Sequence, residues 1–198
     1  DKTPPNRRIR RGAVIRVQKE DKGGWQLVQL PDAEAAFLAM DPRNGAIRAL
    51  VGGFDFNRNK YNHATQAWRQ PGSTFKPFVF ADAIQNGRPL SYLLDDSPLS
   101  IPSGSSVWTP QNYDNVFVGR IPMRQALYQS RNIPTIKLGI ELGIPSVIDE
   151  ARKFGITTPI PPYPSILIGA ADVLPIEIVA SYTTFATLGT RAQPLVIT

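Results

Sequence analysis

Apolar and polar residues alternate in two stretches near the start of the chain, residues 13–17 and 25–30. Alternation with a period of two predicts half-buried β-strands, and the charged segment 19–24, which ends in Gly-Gly, predicts the turn between them. Two short strands bury too little apolar surface to be stable alone. The pattern therefore predicts a short β-rich piece within residues 1–31 that cannot bury a core alone.

Near residue 32 the pattern changes to a second hairpin followed by helices. Asn44-Gly45 lies between the apolar stretches 36–40 and 46–51, and Asn-Gly between apolar runs is a strong hairpin signal. Five later stretches have helical patterns, most with Pro near the first turn and Gly just past the end. These predicted helices are residues 73–86, 122–129, 134–142, 145–154 and 175–188. We expect an α+β domain over residues 32–198, an antiparallel sheet flanked by helices.

Composition narrows the classes of function. The 198 residues, 42% of them hydrophobic, can form one domain with a sizeable core and part of another. There is no cysteine and only one histidine, His63, so the sequence predicts no disulfide, no metal site and no cofactor. Of the net charge of +6, residues 1–24 supply +5, with eight basic against three acidic residues. Because the basic charge is local, we do not expect a nucleic-acid partner.

The most informative segment is residues 71–78, Pro-Gly-Ser-Thr-Phe-Lys-Pro-Phe. It places Ser73 and Lys76 three positions apart at the start of a predicted helix, where positions i and i+3 share a face. We therefore expect the Lys76 Nζ within hydrogen-bond reach of the Ser73 Oγ, at about 2.6–3.2 Å, or at a longer distance when no ligand is bound. An unprotonated amine beside a serine hydroxyl can activate it as a nucleophile, and a helix N-terminus can stabilise an oxyanion.

A second polar element, Ser130-Arg131-Asn132, follows about sixty residues later. The order S-x-x-K and then S-x-N occurs in the serine acyltransferases that include class A β-lactamases and penicillin-binding proteins. Residues 62–78 resemble the first catalytic motif of the bifunctional, class A penicillin-binding proteins. Residues 108–114, Trp-Thr-Pro-Gln-Asn-Tyr-Asp, resemble the family's approach to its second motif. The resemblance runs from about Leu38 to the C-terminus.

The resemblance implies a transpeptidase domain of the β-lactamase/transpeptidase-like superfamily, which cross-links peptidoglycan stem peptides through a serine acyl-enzyme and is the target of β-lactam antibiotics. Ser73 would attack the carbonyl between the last two D-alanines, and Lys76 would take its proton. Ser130 would relay a proton to the leaving amine, and Asn132 would hold either Lys76 or the substrate amide.

Five residues near the motifs are further candidates for binding substrate at the mouth of the cleft. Packing of the loops beside the motifs is the alternative explanation for them. They are Gln70, Gly72, Trp108, Asn112 and Tyr113.

The sequence departs from the family at the third motif. No Lys in the chain is followed by Thr-Gly or Ser-Gly, and in the family this motif lies on a strand downstream of the helix predicted at 175–188. We therefore expect the domain to continue past Thr198, with half of the oxyanion hole outside this chain, and we expect the chain alone to be inactive.

The resemblance also implies a cellular setting. Residues 1–31 would be the remnant of an OB-like inserted domain, and a segment outside the chain would anchor the protein in the bacterial inner membrane, with this domain facing the periplasm. The partners would be stem peptides, β-lactams and regulators of cell-wall synthesis.

Two alternatives stay open. The chain could be a hydrolase of the same superfamily, a β-lactamase or D,D-carboxypeptidase, although no acidic residue occupies an obvious deacylating position in the sequence. It could also be a non-catalytic binding module, against which the intact Ser73 and Lys76 pair argues. Stable labelling by a β-lactam, rapid turnover, or no labelling would separate the three.

Overall fold

The computed structural model describes residues 4–196, which fall into two compact units, Asp1–Glu34 and Ala35–Thr198. In the first unit, a short 3-10 helix at Pro5–Arg7 precedes an antiparallel pair of strands, β1 at Arg16–Lys19 and β2 at Trp25–Val28. That this unit is a remnant of an OB-like domain stays a prediction.

The sequence predicted both strands, but the first lies at Arg16–Lys19 rather than at residues 13–17, and the predicted burial was wrong. The apolar side chains of Val17, Trp25 and Leu27 are 47%, 69% and 49% exposed. A two-stranded ribbon has no second layer within its own unit against which an apolar face could pack. The alternation of apolar and polar residues therefore predicts a strand here, but it does not predict that the apolar face of the strand is buried.

The second unit begins with the hairpin that Asn44-Gly45 predicted, formed by β3 at Phe37–Met40 and β4 at Ile47–Val51. Gly45 adopts a positive φ of 78°, and its N–H donates to the Asp41 carbonyl at 2.9 Å. A Cβ at Gly45 would lie 1.8 Å from the backbone oxygen of Gln193. The turn therefore requires glycine both for its conformation and for this close approach.

Helices make up most of the second unit. The α-helices of the described residues are α1 at Lys76–Gln85, α2 at Met123–Tyr128, α3 at Asn132–Leu142, α4 at Ile144–Lys153 and α5 at Pro175–Ala186. Proline lies in the first two positions of α1, α4 and α5, where its missing N–H has no intrahelical partner to lose.

The start of the first predicted helix differs from the prediction. Residues Gly72–Phe75 form a 3-10 helix, and the α-helix begins only at Lys76. The helix predicted at 134–142 in turn begins two residues earlier, at Asn132.

Two antiparallel pairs of strands were not predicted. They are β5 at Leu93–Asp96 with β8 at Gly119–Pro122, and β6 at Ile101–Ser103 with β7 at Ser106–Trp108. The α+β class is confirmed, with helices beside antiparallel strands. Within residues 4–196, the strands form four two-stranded sheets rather than one larger sheet.

The core of the second unit forms around α1. Phe78 is fully buried and makes edge-to-face contacts with Phe75, Phe154 and Tyr182, at centroid distances of 5.2, 5.4 and 6.4 Å. Such aromatic contacts stabilise beyond their buried area. This packing fixes the N-terminal end of α1, where Lys76 begins the helix. No helix of the described residues has the length and apolar character needed to cross a bilayer.

Helix α3 offers a matched test of this core. Ile136 is fully buried and Ile140, one turn later, is 43% exposed. Ile136→Ala should lower the free energy of unfolding of this domain by about 2–5 kcal/mol, because it leaves a cavity, and Ile140→Ala should cost less than half as much. Calorimetric unfolding of the full-length protein measures both changes, and equal losses would contradict the packing described here.

Candidate active site

The ammonium of Lys76 joins the two motifs that the sequence singled out. Its Nζ donates to the Ser130 carbonyl oxygen at 2.5 Å, to the Ser130 Oγ at 3.2 Å and to the Asn132 Oδ1 at 2.7 Å. These partners lie 54 and 56 residues away along the chain. Lys76 is buried, with 1% of its surface exposed. The fold therefore brings Lys76, Ser130 and Asn132 into one cluster.

The expected hydrogen bond between Lys76 and Ser73 is not formed. In the described part of the chain, the Lys76 Nζ donates to Ser130 and Asn132 instead. An ammonium has three N–H donors, and all three are used by Ser130 and Asn132. The two residues still share one turn, because the backbone N–H of Lys76 donates to the Ser73 carbonyl.

Burial also changes the acidity of Lys76. Removal from water disfavours the charged form of an amine and lowers the pKa of Lys76 from 10.5 to about 8. An amine with this pKa is partly neutral near physiological pH, and a neutral amine has a lone pair that can accept a proton. The environment therefore makes Lys76 a usable base.

Ser130 lies in a strained backbone conformation. Its φ is +52°, in the left-handed region that residues other than glycine rarely adopt. The turn follows the end of α2, where the N–H groups of Ser130 and Arg131 donate to the carbonyls of Leu127 and Ala126 at 2.9 and 3.0 Å. In this conformation both the carbonyl and the hydroxyl of Ser130 reach Lys76. Strain of this kind is found most often at functional sites.

The sequence predicted Asn112 at the exposed mouth of a cleft, but the structure buries its side chain. It is only 3% exposed, and its Oδ1 accepts from the N–H groups of Asn132 and Ile133 at 2.9 and 3.2 Å. Its Nδ2 donates to the Asp96 Oδ1 at 2.7 Å and to the Val116 carbonyl at 2.9 Å. With its amide fully used, Asn112 caps the start of α3 and so positions Asn132.

Arg131 and Asp96, which were not identified from the sequence, also hold the start of α3 in place. The Arg131 Nε donates to the Asp96 Oδ2 at 2.6 Å, and both side chains are buried, 7% and 0% exposed. Arg131 also reaches the Asp114 carboxylate at 3.2 Å and the Val116 carbonyl. The only sequence signal for this role was that Arg131 lies between the two polar residues of the second motif.

The remaining candidates for substrate binding, which are Gln70, Gly72, Trp108 and Tyr113, lie in different environments. The N–H of Gly72 donates to the Gly169 carbonyl at 3.1 Å, and Gly72 has a φ of +55°. Gln70 is exposed, whereas Trp108 in β7 packs against the hydrophobic core. Tyr113 is fully exposed. It lines a cavity of about 100 Å³ beside the second motif, together with Asn112, Asp114, Gln129, Ser130 and Arg131.

The side chain of Asn132 is held from both ends. Its Oδ1 accepts from Lys76, and its Nδ2 donates to the Gln111 carbonyl at 2.8 Å. The structure thus shows the contact with Lys76, which is one of the two roles that the sequence left open. Within residues 4–196, no group of three or more His, Asp or Glu side chains is placed to hold a metal ion.

Comparison with known proteins agrees with this arrangement. Residues 35–198 match the family model described as the penicillin-binding protein transpeptidase domain. The chain is 43% identical over 189 residues to penicillin-binding protein 1A of Pseudomonas aeruginosa and 42% identical over 194 residues to that of Neisseria lactamica. These alignments cover 94% and 96% of this chain, and 23% and 24% of the relatives.

Solved structures show the same fold. The crystal structure of penicillin-binding protein 1A from Haemophilus influenzae matches with a TM-score of 0.79 and 36% identity, over 85% of this chain and 26% of that one. PonA1 of Mycobacterium tuberculosis, solved in complex with penicillin V, matches with a TM-score of 0.72 and 28% identity, over 82% of this chain and 47% of that one.

The chain thus spans about a quarter of the length of the curated relatives it matches. The family match covers the whole of the second unit, including Ser73, Lys76, Ser130 and Asn132. The chain belongs to the penicillin-binding protein transpeptidase domain family.

Proposed function

We propose that this chain carries the nucleophile side of a D,D-transpeptidase site, which cross-links peptidoglycan stem peptides through an acyl-enzyme at Ser73. The observation that supports this most is the buried junction of Lys76 with Ser130 and Asn132. This junction brings the S-x-x-K and S-x-N motifs together around an amine whose pKa is lowered to about 8. The match to the transpeptidase family supports the same activity.

In the proposed reaction, neutral Lys76 is the general base. Loss of its proton leaves two N–H donors and one lone pair, so one of its three present contacts is released and the lone pair can face Ser73. The Ser73 Oγ then attacks the carbonyl of the penultimate D-alanine while Lys76 takes the hydroxyl proton. The backbone N–H of Ser73 is the proposed donor to the oxyanion.

Collapse of the tetrahedral intermediate breaks the peptide bond and releases the last D-alanine. Its amine receives a proton from Lys76 through the Ser130 hydroxyl, which lies 3.2 Å from the Nζ. In the second half, the amine of a neighbouring stem peptide attacks the acyl carbonyl, and the ester bond to the Ser73 Oγ breaks. The proton lost by this amine passes through the Ser130 hydroxyl and Lys76 to the Ser73 oxygen. Acceptor amine and donor peptide are thereby joined, and Lys76 returns to its starting state.

β-Lactams are the proposed inhibitors, since a strained lactam carbonyl would be attacked in the same way. PonA1, which shares this fold, was solved in complex with penicillin V. By analogy with the family, we also propose that the domain acts on the periplasmic side of the inner membrane as part of a longer, membrane-anchored protein, with regulators of cell-wall synthesis as partners.

Hydrolysis is the competing activity, and the carboxylates near the site bear on it. In the described residues, no Asp or Glu side chain hydrogen-bonds to Ser73, Lys76, Ser130 or Asn132; Asp114 and Asp96 instead engage Arg131. A hydrolase that deacylates rapidly needs a group to activate water. The absence of such a contact favours acyl transfer to an amine over hydrolysis.

Removal of the nucleophile tests the proposal first. In the full-length protein, Ser73→Ala should abolish covalent labelling by fluorescent penicillin, because it deletes the attacking oxygen. Ser106→Ala, an exposed serine in β7, is the matched control and should label normally. Gel fluorescence measures the labelling and calorimetry confirms folding. Undiminished labelling of a folded Ser73→Ala protein would exclude Ser73 as the nucleophile.

The pH dependence tests the role of Lys76. The acylation rate constant should rise with pH and reach half its maximum near pH 8, because only the neutral amine can accept the Ser73 proton. Lys76→Ala should lower the rate about 10²–10⁴-fold and remove this rise. Stopped-flow measurement of penicillin binding gives the rate constants.

Lys137 provides the control for that experiment. Its Nζ donates to the Asp95 carboxylate at 2.6 Å and to the carbonyl and hydroxyl of Ser97 at 2.8 and 2.9 Å, a comparable set of three bonds outside the proposed site. Lys137→Ala should keep the profile of the unmodified protein. If the Lys76→Ala profile still rose near pH 8, a different group would be the base.

A further inference from the structure

A short segment forms hydrogen bonds with the backbone just before Ser73. We define the strap as residues 164–173, which consist of the 3-10 helix Pro164–Ile168 and the residues 169–173 that follow it. Arg69 and Val173 exchange two backbone hydrogen bonds, each of 3.0 Å, and the N–H of Gly72 donates to the Gly169 carbonyl at 3.1 Å. The strap thus holds the chain at two points, Arg69 and Gly72. We call the 3-10 helix Gly72–Phe75, which carries Ser73, the nucleophile turn.

At Gly169 the strap touches the backbone beside Ser73. Gly169 has a φ of +77°, and an added Cβ would lie 2.0 Å from the Gly72 oxygen and 2.5 Å from the Gly72 nitrogen. Both contacts are with backbone atoms, which cannot move aside as a flexible side chain could. A side chain at position 169 would therefore have to displace the residue directly before Ser73.

The other side of the strap packs against the helix that carries Asn132. A Cβ at Gly139 in α3 would lie 2.3 Å from the Leu167 Cδ2, so these elements are in close contact, and Leu167 is fully buried. The strap therefore contacts both the turn that presents Ser73 and the helix that begins at Asn132.

Tyr182 in α5 holds the turn on the other side of Ser73. Its hydroxyl donates to the Thr74 carbonyl at 2.8 Å, and its ring packs edge-to-face on Phe78. Burial raises the pKa of the Tyr182 hydroxyl, so it stays protonated and remains a donor. The residues immediately before and after Ser73 thus each have a fixed partner.

We infer that Gly169 and Tyr182 are positioning residues for the nucleophile: they hold Gly72 and Thr74, and so aim the Ser73 Oγ at the bound carbonyl. The inference rests on the proposed function. A small displacement of a reacting atom can lower a rate by about 10²-fold without weakening substrate binding. The expected signature is therefore a slower acylation step with an unchanged dissociation constant for the noncovalent complex.

Tyr182→Phe tests this with the least disturbance, since it removes one hydroxyl from the full-length protein. Stopped-flow acylation by penicillin should show a rate constant lowered from several-fold to about 10²-fold, with an unchanged dissociation constant. Tyr92→Phe is the control, because its hydroxyl donates to the Glu141 carboxylate at 3.1 Å, outside the nucleophile turn. It should acylate at the unmodified rate. Unmodified acylation by Tyr182→Phe would overturn the inference for Tyr182.

Gly169→Ala and Gly87→Ala form a second matched pair. Gly87 has a φ of +78°, so both substitutions impose the same backbone strain, but nothing lies within 4 Å of a Cβ at Gly87. Both variants should have lowered melting temperatures, and only Gly169→Ala should show slowed acylation per folded molecule. Equal acylation rates in the two folded variants would overturn the inference for Gly169. If Gly169→Ala does not fold, the Tyr182→Phe rate decides.

These outcomes separate the inference from the function on which it rests. If penicillin fails to label the unmodified protein, or still labels Ser73→Ala, the proposed function fails. If penicillin labels the unmodified protein at Ser73, and Tyr182→Phe and Gly169→Ala acylate at the unmodified rate, only the positioning roles fail.

Discussion

A buried ammonium joins two distant parts of this chain, and the rest of the site is arranged around it. Taking a charged amine out of water costs several kcal/mol unless hydrogen bonds replace the lost solvent. For Lys76 the replacements are the carbonyl and hydroxyl of Ser130 and the amide oxygen of Asn132. Because these acceptors follow Lys76 by more than fifty residues, the cluster forms only when α1 packs beside the start of α3. The same burial lowers the pKa of the amine, so one constraint explains both the geometry and the reactivity.

Other residues hold the two chain segments that meet at Lys76 in place. Beneath the second motif, the buried Arg131–Asp96 ion pair and the amide of Asn112 hold the turn from which α3 starts. Breaking a buried pair by removing one partner typically costs about 3–5 kcal/mol, which keeps such a turn in one conformation. Ser130 and Gly72 both have positive φ values, +52° and +55°. For Gly72 this conformation costs little, because glycine has no Cβ, whereas at Ser130 it is a strain that the surrounding hydrogen bonds hold in place.

Local signals in the sequence predicted local structure well. Asn44-Gly45 marked its hairpin, prolines marked helix starts, and the order of the two motifs identified the family. The pairing of β5 with β8 was missed because it joins strands about 25 residues apart, and neither strand shows a clear alternation. Helix periodicity predicted Ser73 as the partner of Lys76, because periodicity describes only neighbours on one helix. The partners found come from tertiary packing, as does the burial of Asn112, which no spacing rule could indicate.

The Lys76 junction is proposed to activate Ser73 and no other residue. The most direct measurement is mass spectrometry of the full-length protein after brief exposure to benzylpenicillin, followed by proteolysis and fragmentation of the modified peptide. If Ser73 is the nucleophile, one penicilloyl group per molecule should be found, attached to the Ser73 oxygen. A penicilloyl group on Ser130 or on any residue other than Ser73, in protein that is otherwise folded, would contradict this proposal.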